Sequence, residues 1–416
     1  MKEIDYKISP ETQEQILLQC ISEKSDLQLK LKAENLSAED FRYKTYPQLK
    51  LAANNYELVE NKRNEVHNTP AISFFAGAGG FDIGFKYAGF NTLATFEINA
   101  VFCDTLKLNF PDKHIFNADL RNKEEVFDIL KNKVGINIPF EGVFHGGPPC
   151  QPFSIAANQR FTKEGENFKR IGFDHAEYGN LLADYIWYIS QFKPKVFIIE
   201  NVAGLFEIDK GKQLFKELET LTNIGYNIAP PQRLNLSDYG IPQSRVRLFV
   251  VGSRDDNAFV FPEKVKQKVP CFYAFEKSLE GVANHETRVH KPESLVRYMQ
   301  VNYGQRDHLG RVDRLDPQKP AKTVIAGGVK GGGRSHLHPF IPRTISVREA
   351  ARLQTFPDSY VFTGPIARQF TQVGNAVPPL FAYKIGRQIY NQFYLRTIQQ
   401  PSISLLFEEI LLEEPA

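Results

Sequence analysis

The feature that most constrains the fold is an alternation of apolar, β-type runs with helical segments between residues 71 and 253. The runs AISFFAG, NTLATFEIN, EGVFHGG, PKVFIIEN and VRLFVVGS are rich in β-branched and aromatic residues, which is typical of buried strands. Segments with helical spacing lie between them, among them VFCDTLKLNF and NLLADYIWYISQF. This alternation predicts an α/β domain with a doubly wound, mostly parallel sheet covered by helices.

The chain has 416 residues, which is long enough for two domains. The residues outside the sheet domain form one segment before it and three segments after it. Residues 1–70 predict a helical N-terminal extension, with Ser9 as the N-cap and Pro10 at the first helical position. Residues 254–343 lose the alternation and predict a small irregular domain. Residues 344–395 return to helical patterns, with Ser346 and Glu349 at capping-box spacing, and residues 396–416 form a tail.

Charge is unevenly distributed along the chain, although the net charge is only +3. Residues 254–343 contain 16 Lys and Arg against 10 Asp and Glu, a surplus of +6, so the rest of the chain sums to −3. A basic segment is typical of a surface that binds polyanions. From charge alone, a solvated basic surface with no partner is an equally good interpretation.

The sequence contains no apolar run of roughly 18 residues and no basic-then-apolar N-terminus, so we expect a cytoplasmic protein without membrane association. Its four cysteines are far apart and form no CxxC pair, which predicts reduced thiols and no metal site.

The first strand ends in a glycine-rich turn, FFAGAGGFDIG, that should open a helix. A dinucleotide fingerprint would require a third glycine at position 82, where Asp82 stands instead. Glu97 ends the next strand, where a carboxylate can accept both ribose hydroxyls of a nucleoside, and Asp119 ends the third strand, in HIFNADL. These three strand ends predict a pocket for adenosine without a pyrophosphate site. The alternative is a tight turn followed by two helix-capping acids.

The stretch GGPPCQPFS places Cys150 directly after the strand EGVFH. Two glycines and three prolines restrict the backbone around it, which predicts a thiol held at a defined position and angle. Glu200 ends the strand KVFIIEN, and Arg245 and Arg247 are two residues apart on a strand, so both should point to one face. These residues should meet at the carboxyl edge of the sheet, beside the predicted pocket.

Together these groups could activate a pyrimidine. A thiolate adds to C6, a carboxyl holds N3, and an arginine donates to the ring carbonyl oxygen, so that C5 can accept a methyl group. Taken singly, each group has a structural alternative: a core cysteine, a helix-capping glutamate and an exposed Arg-x-Arg strand.

The motif set resembles the cytosine-C5 DNA methyltransferase family of bacterial restriction–modification systems. The resemblance runs from about residue 72 to residue 390, in the family's order. The motifs are FFAGAGGFDIGF, FEIN, NADL, GGPPCQPFS, GNLLADY, IENVAGL, IPQSRVR, SVREAARLQTFPD and QVGNAVPP. YGNLL replaces the more usual Arg-Gly-small-Leu-Phe segment, and residues 1–70 have no counterpart in the shortest members.

The resemblance implies a Rossmann-like fold and a role for each motif residue. Cys150 would be the nucleophile, Glu200 the partner of cytosine N3, and Arg247, supported by Arg245, the contact to the cytosine. The cofactor would be S-adenosyl-L-methionine. Its pocket would be lined by Phe75, Gly77, Gly79, Gly80, Glu97, Asp119, Leu181 and Asn375.

Residues 254–343 fall where the family has its target-recognition domain, so the partner would be double-stranded DNA with the target cytosine flipped out of the duplex. Arg and Lys commonly contact guanine in the major groove, and this segment contains many of them. The family context implies a monomer that protects host DNA in a type II system. A cognate endonuclease would act on the same site without binding the protein.

Three other functions stay open from the sequence. The same chemistry on tRNA is known for a relative with this motif set. An NAD-dependent oxidoreductase would use the same kind of sheet, although Asp82 disfavours it. A DNA-binding module without catalysis is the third, and the presence of Cys150, Glu200 and Arg247 disfavours it.

Overall fold

The computed structural model describes residues 7–46, 48–51, 56–62, 66–149, 181–207, 211–326 and 336–395. Its central feature is an eight-stranded sheet. The strands are β1 (Pro70–Phe74), β2 (Asn91–Glu97), β3 (Ile115–Asn117), β4 (Val143–Gly146), β5 (Val196–Val202), β6 (Asn227–Ile228), β7 (Gln232–Asn235) and β8 (Val246–Ser253). Two further strands, β9 (Asp313–Arg314) and β10 (His336–Leu337), form a separate parallel pair.

The helices are short to medium in length. They are α1 (Pro10–Glu23), α2 (Leu27–Ala33), α3 (Gly80–Tyr87), α4 (Ala100–Asn109), α5 (Lys123–Asp128), α6 (Leu181–Phe192), α7 (Gly204–Glu207), α8 (Lys212–Asn223), α9 (Phe272–Phe275), α10 (Pro292–Met299), α11 (Val347–Leu353), α12 (Ile366–Asn375) and α13 (Pro379–Ile389). None of the described helices combines the length and apolar character needed to cross a membrane.

The strand order is β3-β2-β1-β4-β5-β8-β6, and β7 also pairs with β8. The five strands from β3 to β5 are parallel, while β8 runs antiparallel to β5 and to its other neighbours. All five strand runs expected from the sequence form strands, so the predicted α/β class with a mostly parallel sheet is confirmed.

Apolar side chains cover both faces of the sheet, which explains why the strands are uninterrupted hydrophobic runs. Tyr185 and Ile189 of α6 pack on one face. Phe85 of α3 and Phe381 of α13 pack on the other. A Cβ added at Gly84 would lie 2.4 Å from the Cβ of Ala382, so this glycine lets α3 and α13 approach closely. The C-terminal segment is thereby fixed to the sheet domain.

Local signals from the sequence also hold. The Ser9 side chain caps α1, with Pro10 as the first helical residue. Ser346 and Glu349 form the predicted capping box at the start of α11. The helical patterns predicted for residues 344–395 end in α13, which is followed by a π-helical turn at Tyr390–Leu395.

The N-terminal extension packs against the small domain. Ile16, Leu17 and Cys20 share one apolar cluster with Leu295 and Met299 of α10. The Tyr43 hydroxyl donates to the His338 carbonyl at 2.9 Å. Arg343 Nε donates to Glu39 at 2.6 Å. The extension, to which the sequence assigned no role, therefore supplies part of the core of the small domain. The domain boundaries at residues 70, 253 and 343 stay predictions.

Candidate active site

The order of the strands creates a crevice at the carboxyl edge of the sheet. β1 has β2 on one side and β4 on the other, so the chain leaves β1 and β4 in different directions. The glycine-rich turn follows β1, and the segment that leads to Cys150 follows β4. Asn201 Nδ2 donates to the Pro148 carbonyl at 3.3 Å and so holds the start of that segment. Cys150 itself lies outside the described residues.

Glu200 and Arg247 form an ion pair at this edge. Arg247 Nε lies 3.1 Å from Glu200 Oε1, and Glu200 is only 8% exposed. A Cβ added at Gly147 would lie 2.9 Å from Glu200 Oε2, so the second carboxylate oxygen faces the segment three residues before Cys150. Burial raises the pKa of Glu200, while the charges of Arg247 and Arg245 act in the opposite direction. A carboxyl with a raised pKa can hold or share a proton with a ring nitrogen.

Arg245 is positioned differently from Arg247, since it directly precedes β8 whereas Arg247 lies within it. It is 1% exposed, and its Nη2 donates to the Gly374 carbonyl at 2.8 Å. Its Nη1 is 3.5 Å from the Val324 carbonyl. The guanidinium therefore links the strand to the small domain and to the end of α12, and acts on Glu200 through its charge. A direct contact between Arg245 and cytosine stays a prediction.

The turn after β1 is held by Glu97. Gly77 N donates to Glu97 Oε2 and Asn99 N donates to Oε1, both at 2.8 Å. Gly77 has a positive φ of 58°, and a Cβ added there would meet no heavy atom of the described residues within 4 Å, so space is open beside the turn in that part of the structure. Burial raises the pKa of Glu97, and the backbone amides oppose this effect. A carboxylate offers about four acceptor positions, so Glu97 retains capacity to accept a ligand hydroxyl.

Ile98 is a candidate residue that the sequence reasoning missed. Its side chain is 59% exposed although it directly follows the buried Glu97. Asn117 Nδ2 donates to the Ile98 carbonyl at 2.8 Å, which fixes the strand end. An exposed apolar side chain here could pack on the flat face of a base. The only sequence signal was an apolar residue just past the strand end, which hydrophobic patterning assigns to the core.

Gly79 and Gly80 allow neighbouring segments to pack closely against the turn. A Cβ added at Gly79 would lie 2.8 Å from Leu106 Cδ2, and one added at Gly80 would lie 2.1 Å from the Val377 carbonyl oxygen. Asn375, exposed at the end of α12, precedes Val377 by two residues, so the packing at Gly80 brings Asn375 toward the glycine turn. Any contact of these three residues with a cofactor stays a prediction.

The other predicted pocket residues occupy the edges of this region. Phe75 has a positive φ of 51° and contacts Tyr185 edge-on at 6.0 Å between ring centroids. Leu181 is buried at the first residue of α6. Asp119 lies two residues beyond β3 and forms an ion pair with Arg121 at 2.6 Å, which lowers its pKa. The predicted contacts of Phe75, Leu181 and Asp119 with the cofactor stay predictions.

Asp82 occupies the position of the missing third glycine. It is 4% exposed and accepts hydrogen bonds from Ser73 Oγ and Thr95 Oγ1, both at 3.0 Å. Burial raises its pKa to about 6. Asp82 therefore connects α3 to β1 and β2 inside the protein, and its side chain does not line the crevice.

The chain is similar in sequence to known proteins of one family. A sequence model of the family described as C-5 cytosine-specific DNA methylase matches residues 70–391. The chain is 34% identical over 340 residues to the type II methyltransferase M1.HphI of Haemophilus parahaemolyticus, covering 76% of this chain and 86% of that protein. It is 31% identical over 363 residues to M.NgoFVII of Neisseria gonorrhoeae, covering 80% and 89%.

Solved structures support the same fold. A DNA modification methyltransferase encoded within an E. coli prophage is similar with a TM-score of 0.58 and 25% identity, covering 78% of this chain and 99% of that chain. DNMT2 of Spodoptera frugiperda is similar with a TM-score of 0.55 and 16% identity, covering 78% and 100%, and at that identity the likeness is one of fold alone.

Proposed function

The chain belongs to the C-5 cytosine-specific DNA methylase family and is a DNA (cytosine-5-)-methyltransferase; on that premise we propose that it methylates a flipped cytosine within a specific duplex site, using S-adenosyl-L-methionine. The pair of Glu200 and Arg247 beside the segment leading to Cys150 carries this proposal. It is the arrangement that pyrimidine activation at C5 requires.

The residues at the glycine turn fit the proposed cofactor. Glu97 is fixed by two backbone amides and keeps lone pairs for ribose hydroxyls. The open space beside Gly77 and the exposed Ile98 leave room for a nucleoside. When bound, S-adenosyl-L-methionine supplies the methyl group that cytosine C5 accepts.

The chain's own residues supply the activation of the base. The Cys150 thiolate adds to C6, which places negative charge on the ring. Glu200, whose pKa burial raises, holds the proton at N3 and so neutralises that charge. Arg247 keeps the Glu200 carboxyl in place and is the proposed donor to the cytosine ring. After the transfer, a solvent base accepts the C5 proton, the electron pair of that C–H bond forms the C5–C6 double bond and the thiolate leaves C6. The N3 proton returns to Glu200, which restores the aromatic ring and frees Cys150.

The cytosine must leave the duplex because an enzyme cannot reach its ring carbons within the base stack. The small domain, including its basic segment at residues 254–343, is the proposed surface for recognition of the duplex. By analogy with its type II relatives, the protein acts as a monomer and protects host DNA from a cognate endonuclease that recognises the same site without binding it.

The proposal is tested by incubating the full-length protein with methyl-labelled S-adenosyl-L-methionine and a plasmid library, followed by sequencing for 5-methylcytosine. Methylation confined to one short motif is the expected result. Label in tRNA but not in plasmid DNA would contradict the proposal and favour the tRNA alternative. Absence of label from both DNA and tRNA would also contradict the proposal and would favour a protein that binds DNA without catalysis.

A further inference from the structure

Residues 304–314 of the small domain form a compact β-hairpin. Asp307 N donates to the Val312 carbonyl at 2.9 Å, and Arg314 N donates to the Gln305 carbonyl at 2.9 Å. The hairpin has a basic outer surface, because residues 304–306 and 308–311 are exposed while residues 312–315 are buried. A two-stranded β-ribbon is one of the elements that the major groove of duplex DNA admits.

A buried carboxylate fixes the tip of this hairpin. The Asp307 side chain is fully buried and accepts from Arg311 N at 2.6 Å and from Val312 N at 2.9 Å. Arg297 Nε, from α10, lies 2.9 Å from the other Asp307 oxygen. The turn is therefore ordered before any partner binds, which reduces the entropy lost on association.

The N-terminal extension and neighbouring segments hold the base of the hairpin. Arg314 is fully buried, with its guanidinium carbon 3.5 Å from the ring centroid of Tyr43 and 4.1 Å from that of Tyr303. Its Nη1 donates to the carbonyls of Thr45 and Val301 at 3.2 and 3.0 Å. Residues outside the matched family region thus help to orient the hairpin.

Near the base of the hairpin, Arg306 is oriented by Asp313. Arg306 Nε and Nη2 donate to the two oxygens of Asp313 at 3.2 and 3.0 Å. The Asp313 side chain is only 4% exposed, whereas that of Arg306 is 60% exposed. A guanidinium has five N–H donors, so three remain, and among the described residues they have no partner. The hydrogens of Nη1 and the second hydrogen of Nη2 are therefore left for another acceptor.

Lys322 adds a second cation and connects this group to the catalytic edge. Its Nζ donates to Asp313 Oδ1 at 2.7 Å, and its side chain is 56% exposed, so one buried carboxylate serves two exposed cations. Residues 321–324 run beside residues 242–245: Ser244 N donates to the Ala321 carbonyl and Thr323 Oγ1 donates to the Ser244 carbonyl, both at 2.7 Å. Residues 242–245 lead directly into β8, which carries Arg247, the partner of Glu200.

We propose that Arg306 is a specificity-determining residue that recognises a guanine of the target site in the major groove. The Nη1–Nη2 edge of the guanidinium donates to guanine O6 and N7, while Asp313 acts as a positioning residue and Lys322 contacts a phosphate. The proposal rests on the function proposed above. An ordinary surface ion pair would hold its carboxylate in water, whereas Asp313 is buried and leaves its cations a net positive charge.

The test begins with the recognition site of the full-length wild-type protein, mapped by methyl transfer to a plasmid library. Duplexes in which each base pair of that site is changed singly are then compared for the wild type and for Arg306→Ala. We expect the variant to lose discrimination at one guanine position by on the order of 5- to 150-fold and to keep it elsewhere. Arg306→Lys should restore less than the full discrimination, because an ammonium lacks the planar fork that pairs with both oxygens of Asp313 and with the base together.

Lys319→Ala is the matched control. Lys319 is 75% exposed, is paired with Asp316 at 3.1 Å, and lies in the same domain outside the hairpin. The substitution Lys319→Ala removes one positive charge, so it should weaken binding to all DNA sequences equally. Lys322→Ala should also act uniformly and should lower the salt dependence of DNA binding by about one phosphate contact.

Two results would overturn the proposal: unchanged discrimination at every position in Arg306→Ala, or a uniform loss equal to that of Lys319→Ala. Failure of the wild type to methylate any DNA would instead contradict the proposed function. Because Arg306 is exposed, a thermal midpoint close to that of the wild type should show that the variant is folded.

Discussion

Glu97→Gln should weaken binding of S-adenosyl-L-methionine by about 10- to 150-fold while leaving the affinity for DNA unchanged. The carboxylate accepts backbone amides on both oxygens at 2.8 Å, so it is already held in the orientation in which it would accept ribose hydroxyls. A hydrogen bond to a charged group contributes about 1.5–3 kcal/mol, and the loss of one such bond gives the stated range.

The same substitution has a separate effect on stability. Glutamine offers one acceptor oxygen, so one of the amides of Gly77 and Asn99 faces the side-chain NH2 group and loses its partner. Because the site is 8% exposed, we expect the free energy of unfolding to fall by about 1–3 kcal/mol. Urea denaturation without ligand measures this part alone.

Titration calorimetry with the cofactor and a mobility-shift assay with DNA separate the two effects. Glu349→Gln is the matched control, since Glu349 is 2% exposed, accepts from Ser346 N at 2.7 Å, and is outside the predicted pocket. It should lower stability without changing cofactor affinity. Unchanged cofactor affinity in folded Glu97→Gln, or an equal loss in the control, would refute the reasoning.

Three further predictions concern the core, the packing of the C-terminal segment, and the nucleophile. The stability of Asp82→Asn relative to the wild type should rise by about 2 kcal/mol between pH 4 and pH 8. The folded-state pKa of Asp82 is raised to about 6, above its unfolded value, so wild-type stability falls as pH rises between those two values. Urea denaturation at both pH values would contradict this if the difference stayed constant. Gly80→Ala should lower the thermal midpoint, with an overpacking penalty of about 1–3 kcal/mol, because its Cβ would lie 2.1 Å from the Val377 carbonyl; calorimetry showing no change would remove this contact from the account. Cys150→Ala should abolish methyl transfer while keeping cofactor and DNA binding, as measured by calorimetry and mobility shift; loss of folding would instead mean that the thiol is structural.

Local features were predictable from the sequence because short-range physics decides them. The strands follow from runs of apolar residues, and the cap at Ser346 depends on a partner three residues away. The glycine turn and Glu97 follow from strand ends that meet at one edge of a parallel sheet, and the structure joins them through the Gly77 amide.

Features that depend on distant segments were not predictable. The spacing of Arg245 and Arg247 predicts a shared face, but it gives no sign that Gly374 and Val324 cover Arg245. The Tyr43 hydroxyl bonds to a carbonyl 295 residues away, so periodicity within the extension could not reveal its place in the small domain.

The most direct test of the account asks whether Cys150 bonds to the target base. A duplex carrying 5-fluorocytosine at the mapped position is incubated with the protein and S-adenosyl-L-methionine, and the digested product is analysed by mass spectrometry. Fluorine at C5 cannot leave as a proton does, so a thiolate that has added to C6 stays attached. The account predicts a base-linked peptide containing Cys150. A wild-type protein that methylates ordinary DNA but yields no adduct, or an adduct at another cysteine, would contradict it.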